Sequence, residues 1–109
     1  MLINPNNPSG ATYSREILER IVAIAAKHNL LLMADEIYDH ILYDDASFQA
    51  LAPLAGDLPC LSFGGLSKVH RACGWRVGWA VLSGDPIASG ELHHAMDLLG
   101  PLRLLATVP

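Results

Sequence analysis

A lysine in a glycine-rich turn, followed by an arginine, offers the clearest covalent chemistry in this sequence. Lys68 follows the apolar run 61–63 and two glycines, and Arg76 stands eight residues later. A lysine amine becomes a nucleophile only where its surroundings lower its pKa, whereas the planar guanidinium of arginine suits a phosphate. An amine and a guanidinium at one end of a sheet would together suit a covalently bound, phosphorylated cofactor.

Three more polar residues are predicted to lie at the same end of the sheet. Asp35 and Tyr38 follow the continuous apolar run 30–34, and Asn7 lies in the turn-forming run 4–10. Open parallel sheets bind ligands beyond the carboxyl ends of their strands. We therefore expect these side chains to lie near the lysine turn, residues 64–68.

Arg76 begins an apolar run instead of ending one. It reaches the same edge only if residues 76–82 form an antiparallel strand. The short connection at residues 67–74 favours that direction, because a parallel crossover needs a dozen or more residues.

The elements that must position these residues follow from hydrophobic spacing. Residues 15–28 carry apolar side chains at helical intervals, with Ser14 as the predicted N-cap and Asn29 as the left-handed residue at the end. With the strand remnant 2–3 before it and the run 30–34 after it, this helix predicts a βαβ unit with parallel strands.

The remaining segments complete an α/β fold. Residues 60–63 predict a third strand, and residues 39–59 predict a loop with at most a short helix. A helix is predicted over residues 87–105, broken or kinked around Gly100 and Pro101. The predicted fold class is α/β, part of a mostly parallel, mixed sheet with flanking helices.

Composition excludes several classes of partner. The 109 residues are 51% hydrophobic and 17% charged, which is typical of a heavily buried chain. A net charge of −4 gives no basic field for nucleic acid or an anionic membrane, and no run is long enough to span a bilayer. Two cysteines are too few for a disulfide framework, which favours a cytoplasmic protein.

Both ends predict a truncated domain covering residues 1–109. The first strand retains only Leu2 and Ile3, and residues 104–109 end on apolar side chains without a capping signal. Strands this apolar also need helices on both faces, and the sequence supplies too few.

Each candidate residue also has a purely structural interpretation. Asp35 would cap a helix, Tyr38 would pack, Asn7 would shape a turn, Lys68 would lie at the surface and Arg76 would form an ion pair. Glu36 is expected to be a solvated or structural acid. The five candidates are stronger as a set, because one sheet edge would bring complementary chemistry together.

Three motifs in the sequence carry a family resemblance. Residues 4–10 (NPNNPSG) are similar to N-P-x-N-P-T-G, and residues 35–38 (DEIY) to D-E-x-Y. Residues 65–68 (GLSK), with Arg76 after them, are similar to a lysine motif. The sequence thus resembles the class I/II aminotransferases of fold type I, which use pyridoxal 5′-phosphate (PLP). Residues 35–46 further resemble the bacterial glutamate–pyruvate (alanine) aminotransferases within that family.

The resemblance implies a role for each of the five candidates. Lys68 would hold PLP as a Schiff base and then act as the base that moves the substrate proton. Asp35 would keep the pyridine nitrogen protonated. Asn7 and Tyr38 would donate hydrogen bonds to the phenolic oxygen, and Arg76 would bind the phosphate. The resemblance also implies a cis Asn7–Pro8 bond.

The sequence departs from the family pattern near the lysine. Gly65 stands where many relatives have a phosphate-binding serine, so one phosphate donor is missing. Arg71 replaces a smaller residue, and His70 replaces an aromatic one. His70 and Cys73 are only two potential metal ligands, so no metal site is predicted.

The implied function is transamination between an amino acid, alanine, and a 2-oxo acid, 2-oxoglutarate, in a homodimer whose large domain binds PLP. Residues 1–109 alone are expected to be inactive. They lack a match to the ring-stacking aromatic, the upstream phosphate-binding turn and the arginine that takes the substrate's α-carboxylate.

Other functions stay open at this point. The same domain serves PLP-dependent carbon–sulfur lyases and non-catalytic, PLP-binding transcription regulators. A P-loop ATPase is a remote alternative, because residues 31–36 imitate a Walker B strand. That class predicts G-x-x-x-x-G-K-[ST], and the lysine turn lacks this order.

Overall fold

Strands and helices alternate along the chain. The structure, a computed structural model, describes residues 1–103, the last three through their backbone alone. Its elements in chain order are β1 (Leu2–Ile3), α1 (Arg15–Lys27), β2 (Leu32–Asp35), α2 (Ala52–Ala55), β3 (Cys60–Gly65), a 3₁₀ turn (Cys73–Trp75), β4 (Gly78–Ser83) and α3 (Pro86–Arg103).

The four strands form one mixed sheet in the order β1-β2-β3-β4. β1, β2 and β3 are parallel, and β4 is antiparallel to β3. Ile3 pairs with Asp35, which pairs with Phe63, so these three strands end side by side. The predicted fold class and the antiparallel direction of the fourth strand are confirmed.

Helix α1 begins at the predicted residue and ends one residue before the predicted end, at Lys27. Ser14 is the N-cap, and its Oγ accepts a hydrogen bond from the Ile17 backbone N–H at 3.4 Å. Asn29 follows the helix with a φ of +50°. A short polar side chain tolerates this left-handed conformation, which turns the chain back towards β2.

The core lies between α1, α2 and one face of the sheet. Leu32 and Ala34 point into it, and the alternation of β2 turns Met33 and Asp35 to the opposite face. Within the described residues, the buried members of this core cluster are Leu18, Ala25, Leu32, Ala34, Leu51, Ala55 and Cys60. The carboxylate of Asp35 therefore leaves the sheet on the side away from α1.

Strand β2 begins later than its apolar run. Leu30 is 51% exposed and Leu31 is 43% exposed. Leu30 still belongs to the turn after α1, because its N–H donates to the Ala25 carbonyl at 2.9 Å. The prediction of a strand from residue 30, covered on both faces, was wrong at its start.

Two other predicted boundaries also need correction. β4 starts at Gly78 instead of Arg76, because Arg76 has a φ of +53°, which is incompatible with a strand. α3 runs through Gly100 and Pro101 to Arg103, so the helix does not break there, and the predicted alternative of a kink stays a prediction. The missing N–H of a proline removes one helical hydrogen bond without ending the helix here. Residues 104 and 105 lie outside the described part.

Helix α3 begins at a proline that follows an aspartate. The Asp85 Oδ1 accepts from the Ile87 N–H at 2.9 Å, and Pro86 occupies the first helical position. Over the described residues, no helix combines the length and the apolar character needed to cross a membrane.

Candidate functional site

Asp35 lies at the carboxyl edge of the parallel strands. It is the last residue of β2, and the next N–H, that of Glu36, donates to the Phe63 carbonyl at 3.0 Å. Its Oδ1 accepts from the Ile37 N–H at 3.2 Å, so the side chain does form a local cap. That contact uses one carboxylate oxygen and leaves Oδ2 for a ligand.

The loop at residues 4–10 is held against the core by Asn4, a residue for which no role was predicted. Asn4 is only 2% exposed. Its Oδ1 accepts from the Tyr13 N–H at 3.1 Å, and its Nδ2 donates to the Gln49 carbonyl at 3.2 Å. A buried amide with both ends bonded fixes the loop that carries Asn7.

Both X–Pro bonds of this loop are cis. The bond between Asn7 and Pro8 has the predicted conformation, and the one between Asn4 and Pro5 was not anticipated. Gly10 has a φ of +74°, a conformation that glycine adopts without strain and that suits the turn-forming run 4–10.

Asn7, Tyr38 and Lys68 come together from three separate loops. The Asn7 Nδ2 donates to the Tyr38 hydroxyl at 3.3 Å. The Lys68 Nζ lies 6.0 Å from the centroid of the Tyr38 ring. Tyr38 therefore presents its polar end to a partner instead of only packing, and it lies between the amide and the amine.

Backbone hydrogen bonds organise the turn that carries Lys68. The Leu66 N–H donates to the Val77 carbonyl at 3.1 Å, and the Ala72 N–H donates to the Leu66 carbonyl at 3.1 Å. The Cys73 thiol donates to the Ser67 carbonyl at 2.9 Å. The Lys68 side chain itself is exposed.

Arg71 occupies a conformation that explains why a smaller residue suits its position. Its φ is +54°, in the left-handed region where a side chain is disfavoured and glycine is not. Its N–H donates to the Lys68 carbonyl at 3.2 Å, which closes the turn.

Arg76 lies at the same edge as Asp35. It precedes the start of β4, where Gly78 pairs with Gly65 at the end of β3. Its Nη1 donates to the Cys73 carbonyl at 3.1 Å. The ion pairs found within the described residues do not include Arg76, so the ion-pair interpretation has no support there.

Gly65 is closely surrounded. A Cβ built on it would lie 3.1 Å from the Val77 carbonyl oxygen and 3.6 Å from the Ile37 Cδ1. A serine here would need the neighbouring backbone to shift by a few tenths of an ångström. This crowding gives a physical reason for glycine at the position.

A cavity lies next to the candidate site, and none of the five candidate residues lines it. It measures about 340 Å³ and lies beside β3 and β4, lined among others by Glu36, Ser62, Gly64, His70, Trp79 and Val81. A cleft of about 210 Å³ does border Asn7 and Tyr38. Within residues 1–103 the five candidates thus form an open edge.

In the part of the chain with described side chains, no group of three or more His, Cys, Asp or Glu side chains is placed to hold a metal ion. Cys60 and Cys73 are both free.

Glu36 is a half-buried acid with a structural partner. Its Oε1 accepts from the Leu51 N–H at 2.9 Å. Burial raises the pKa of this carboxyl, the Leu51 N–H opposes that rise, and the nearby charge of Asp39 adds to it. The expectation of a structural acid is consistent with this contact.

The charge of Glu36 should make the fold less stable as pH rises. Its folded pKa is raised, so the folded chain keeps the proton at a pH where the unfolded chain has lost it. The contribution of the protonated Glu36 carboxyl to the free energy of unfolding is fully present below the unfolded pKa. It is lost as pH rises through the folded pKa. We expect Glu36→Gln, which keeps the acceptor, to flatten that fall. Urea unfolding from pH 4 to pH 8 checks it, and equal pH slopes in both proteins would contradict it.

Comparison with known proteins gives a consistent family. The sequence profile of the family described as "Aminotransferase class I and II" matches residues 1–100. The glutamate-pyruvate aminotransferase AlaA of Escherichia coli K12 is 51% identical over all 109 residues, which are 27% of its length. An alanine aminotransferase of Mycobacterium tuberculosis H37Rv is 50% identical over 109 residues, 25% of its length.

Solved structures agree with the sequence relatives. An aminotransferase from E. coli superimposes with a TM-score of 0.94 at 52% identity, over 99% of this chain and 27% of that one. An alanine aminotransferase from Pyrococcus furiosus gives a TM-score of 0.88 at 38% identity, over 94% of this chain and 26% of that one.

The chain spans about a quarter of the length of the curated relatives it matches. The family profile nevertheless extends from the first strand through most of α3, including all three motifs and the whole sheet. It leaves no basis for the P-loop ATPase alternative. The chain belongs to the class I and II aminotransferase family.

Proposed function

We propose that the protein containing this chain is a PLP-dependent aminotransferase that exchanges the amino group between alanine and 2-oxoglutarate. The contact of Asn7 with Tyr38, beside Lys68, carries the proposal. The names of the relatives, glutamate-pyruvate and alanine aminotransferase, support the substrate pair. Residues 1–109 would form part of the large, cofactor-binding domain.

The donor set of the edge fits PLP. A carboxylate with a free oxygen suits a protonated pyridine nitrogen, and Asp35 provides one. The phenolic oxygen of PLP suits the Asn7 amide and the Tyr38 hydroxyl, which lie within hydrogen-bond range of each other. The amine of Lys68 and the guanidinium of Arg76 suit the aldehyde carbon and the phosphate.

The residues of this chain would divide the work as follows. Arg76 binds the phosphate, and Asn7 and Tyr38 orient the ring by donating to its phenolic oxygen. Asp35 holds a proton on the pyridine nitrogen. When bound, PLP supplies an electron sink for the charge that develops at the substrate Cα. Lys68 anchors the cofactor covalently and later carries the substrate proton.

Borohydride reduction of the full-length protein tests the anchor. Peptide mapping should place the pyridoxyl group on Lys68, with no label on Lys27, an exposed lysine at the end of α1. A label elsewhere, or none, would contradict the proposal. Product analysis with alanine separates transamination, which yields pyruvate and glutamate, from carbon–sulfur lyase activity. A PLP-binding regulator would carry the label without turnover.

The assembly and location are part of the same proposal. We propose a cytoplasmic homodimer, in keeping with the two free cysteines. We also expect residues 1–109 alone to catalyse no transamination, since they span only about a quarter of the relatives. Measurable alanine turnover by residues 1–109 alone would disprove this.

Asp35→Asn should slow the full-length enzyme. Asparagine keeps the size of the side chain but removes the charge that holds the pyridine proton. A hydrogen bond to a charged group contributes about 1.5–3 kcal/mol, which predicts a fall in kcat of about 10- to 100-fold. Steady-state kinetics should show this fall, whereas Asp45→Asn, an exposed control, should leave kcat unchanged. An undiminished kcat in Asp35→Asn would reject the role.

A further inference from the structure

Glu36 closes the loop that carries Tyr38. We define the Tyr38 loop as residues 36–51, which connect the end of β2 to the start of α2. Its two ends meet where the Glu36 Oε1 accepts from the Leu51 N–H at 2.9 Å. Leu51 is only 1% exposed and packs in the core, so this bond ties the loop to the buried core.

The backbone of Glu36 fixes the start of the loop, and its carboxylate binds the end of it. Its N–H donates to the Phe63 carbonyl at 3.0 Å, and its carbonyl accepts from the Asp39 N–H at 3.0 Å. The carboxylate takes the N–H of Leu51, the N-cap of α2, which has no side-chain cap of its own. An orphan donor at a helix start is thereby satisfied.

The position of Tyr38 is set by its own contacts and by the turn that carries it, in which the Ile37 N–H also donates to the Asp35 Oδ1 at 3.2 Å. The Tyr38 carbonyl accepts from the Ile41 N–H at 2.8 Å within the same turn. Its hydroxyl contacts Asn7 at 3.3 Å, across the gap to another loop. The direction of the phenol therefore depends on how the turn at residues 36–39 is fixed, and the Glu36 side chain is what joins that turn to α2.

We propose that Glu36 is a positioning residue for Tyr38, which acts through the Leu51 N–H and needs an acceptor oxygen at that place but no charge. The positioning of Tyr38 by Glu36 rests only on contacts within this chain. Its consequence for a bound cofactor rests on the proposed function. The charged and titratable groups around Glu36 are Asp39 in its own turn, Cys60 on β3, and His40 and His70, which line the same cavity as Glu36.

The test uses the full-length protein with ¹³Cζ-labelled tyrosine and amide hydrogen exchange. Residues 1–109 contain three of its tyrosines, and Tyr38→Phe assigns the resonance of Tyr38. In Glu36→Ala the Leu51 amide should exchange about tenfold faster, because it loses its acceptor. The Tyr38 resonance should shift or broaden at the same time.

Three more variants make the result specific. Glu36→Gln keeps the acceptor and should preserve both the slow exchange and the Tyr38 resonance. Glu36→Asp keeps the charge, but its side chain is one methylene shorter and should not reach the Leu51 N–H, so it should behave like Glu36→Ala. If Glu36→Ala does not fold, Glu36→Asp serves as the test of the missing acceptor. Asp45→Ala removes an exposed acid from the same loop and should change neither readout.

Two outcomes would overturn the proposal. If the Leu51 amide exchanges faster in Glu36→Ala while the Tyr38 resonance does not move, Glu36 only caps α2. If the exchange of the Leu51 amide does not change, the hydrogen bond between Glu36 and Leu51 does not hold the loop. Both readouts need no cofactor. They therefore decide the role of Glu36 even if the borohydride label is not found on Lys68.

In the full-length protein loaded with PLP, the pH at which the absorption band changes should rise in Glu36→Ala and stay near the parent value in Glu36→Gln. If the Tyr38 hydroxyl no longer forms a well-aligned hydrogen bond to the phenolic oxygen of PLP, it stabilises the anionic form of that oxygen less. An unaltered band in Glu36→Ala, with the label present on Lys68, would show that the displaced Tyr38 does not matter to the cofactor and would reject that consequence.

Discussion

Lys68→Ala should remove transamination from the full-length protein while leaving its fold intact. The Lys68 side chain is exposed at the sheet edge, so its loss leaves no buried cavity. The amine is proposed both to anchor the cofactor and to carry the proton at the substrate Cα. Loss of a general base alone costs about 10²–10⁴ in rate, so we expect kcat to fall by about 10⁴-fold.

Single-turnover and steady-state assays with alanine and 2-oxoglutarate measure this fall. Lys27→Ala is the matched control, because it removes an exposed lysine from the last turn of α1. A small added primary amine should restore part of the proton transfer in Lys68→Ala but not the covalent anchor. A variant that retains more than a tenth of the parent kcat would refute the assignment.

Gly84→Ala should destabilise the chain more than any other glycine substitution in its loops. Gly84 has a φ of +111°, which a residue with a Cβ rarely adopts. A Cβ built there would lie 2.7 Å from the Leu58 carbonyl oxygen and 3.0 Å from the Pro59 Cα, both backbone atoms. Strained backbone and overpacking each cost about 1–3 kcal/mol, so we expect a loss of about 3 kcal/mol.

The turn at Gly84 matters because it joins β4 and α3 to the segment before β3. The Asp85 N–H donates to the Asp57 carbonyl at 2.9 Å, directly beside the crowded glycine. Gly90→Ala is the control: it lies in α3 with nothing within 4 Å of its Cβ position, and alanine there should add up to about 1 kcal/mol. Urea unfolding measures both, and a Gly84→Ala change below 0.5 kcal/mol would contradict the expectation.

Much of the fold could be predicted from local sequence signals. The helix at α1 follows from apolar spacing, and its start follows from a serine whose hydroxyl reaches the N–H of Ile17. The antiparallel β4 follows from a connection too short for a crossover. These predictions succeed because each depends on neighbours along the chain.

Two predicted strand starts failed because backbone conformation overrode hydrophobicity. Leu30 is apolar but completes the turn after α1, and Arg76 adopts a left-handed conformation before β4. Hydrophobic pattern alone does not distinguish an apolar residue in a turn from one in a strand. The break at Pro101 failed for another reason, because a proline removes one helical hydrogen bond without having to end the helix.

The sequence by itself determined which chemical groups stand at the carboxyl edge, because motif spacing and strand direction bring Asp35, Lys68 and Arg76 to that edge. Only the tertiary structure decided how the edge is held. Asn4 bonds Tyr13 and Gln49, and the Glu36 carboxylate bonds Leu51. The residues joined by these bonds lie 9, 45 and 15 positions apart. Such bonds form only once the loops are folded against the core, so no local sequence pattern predicts them.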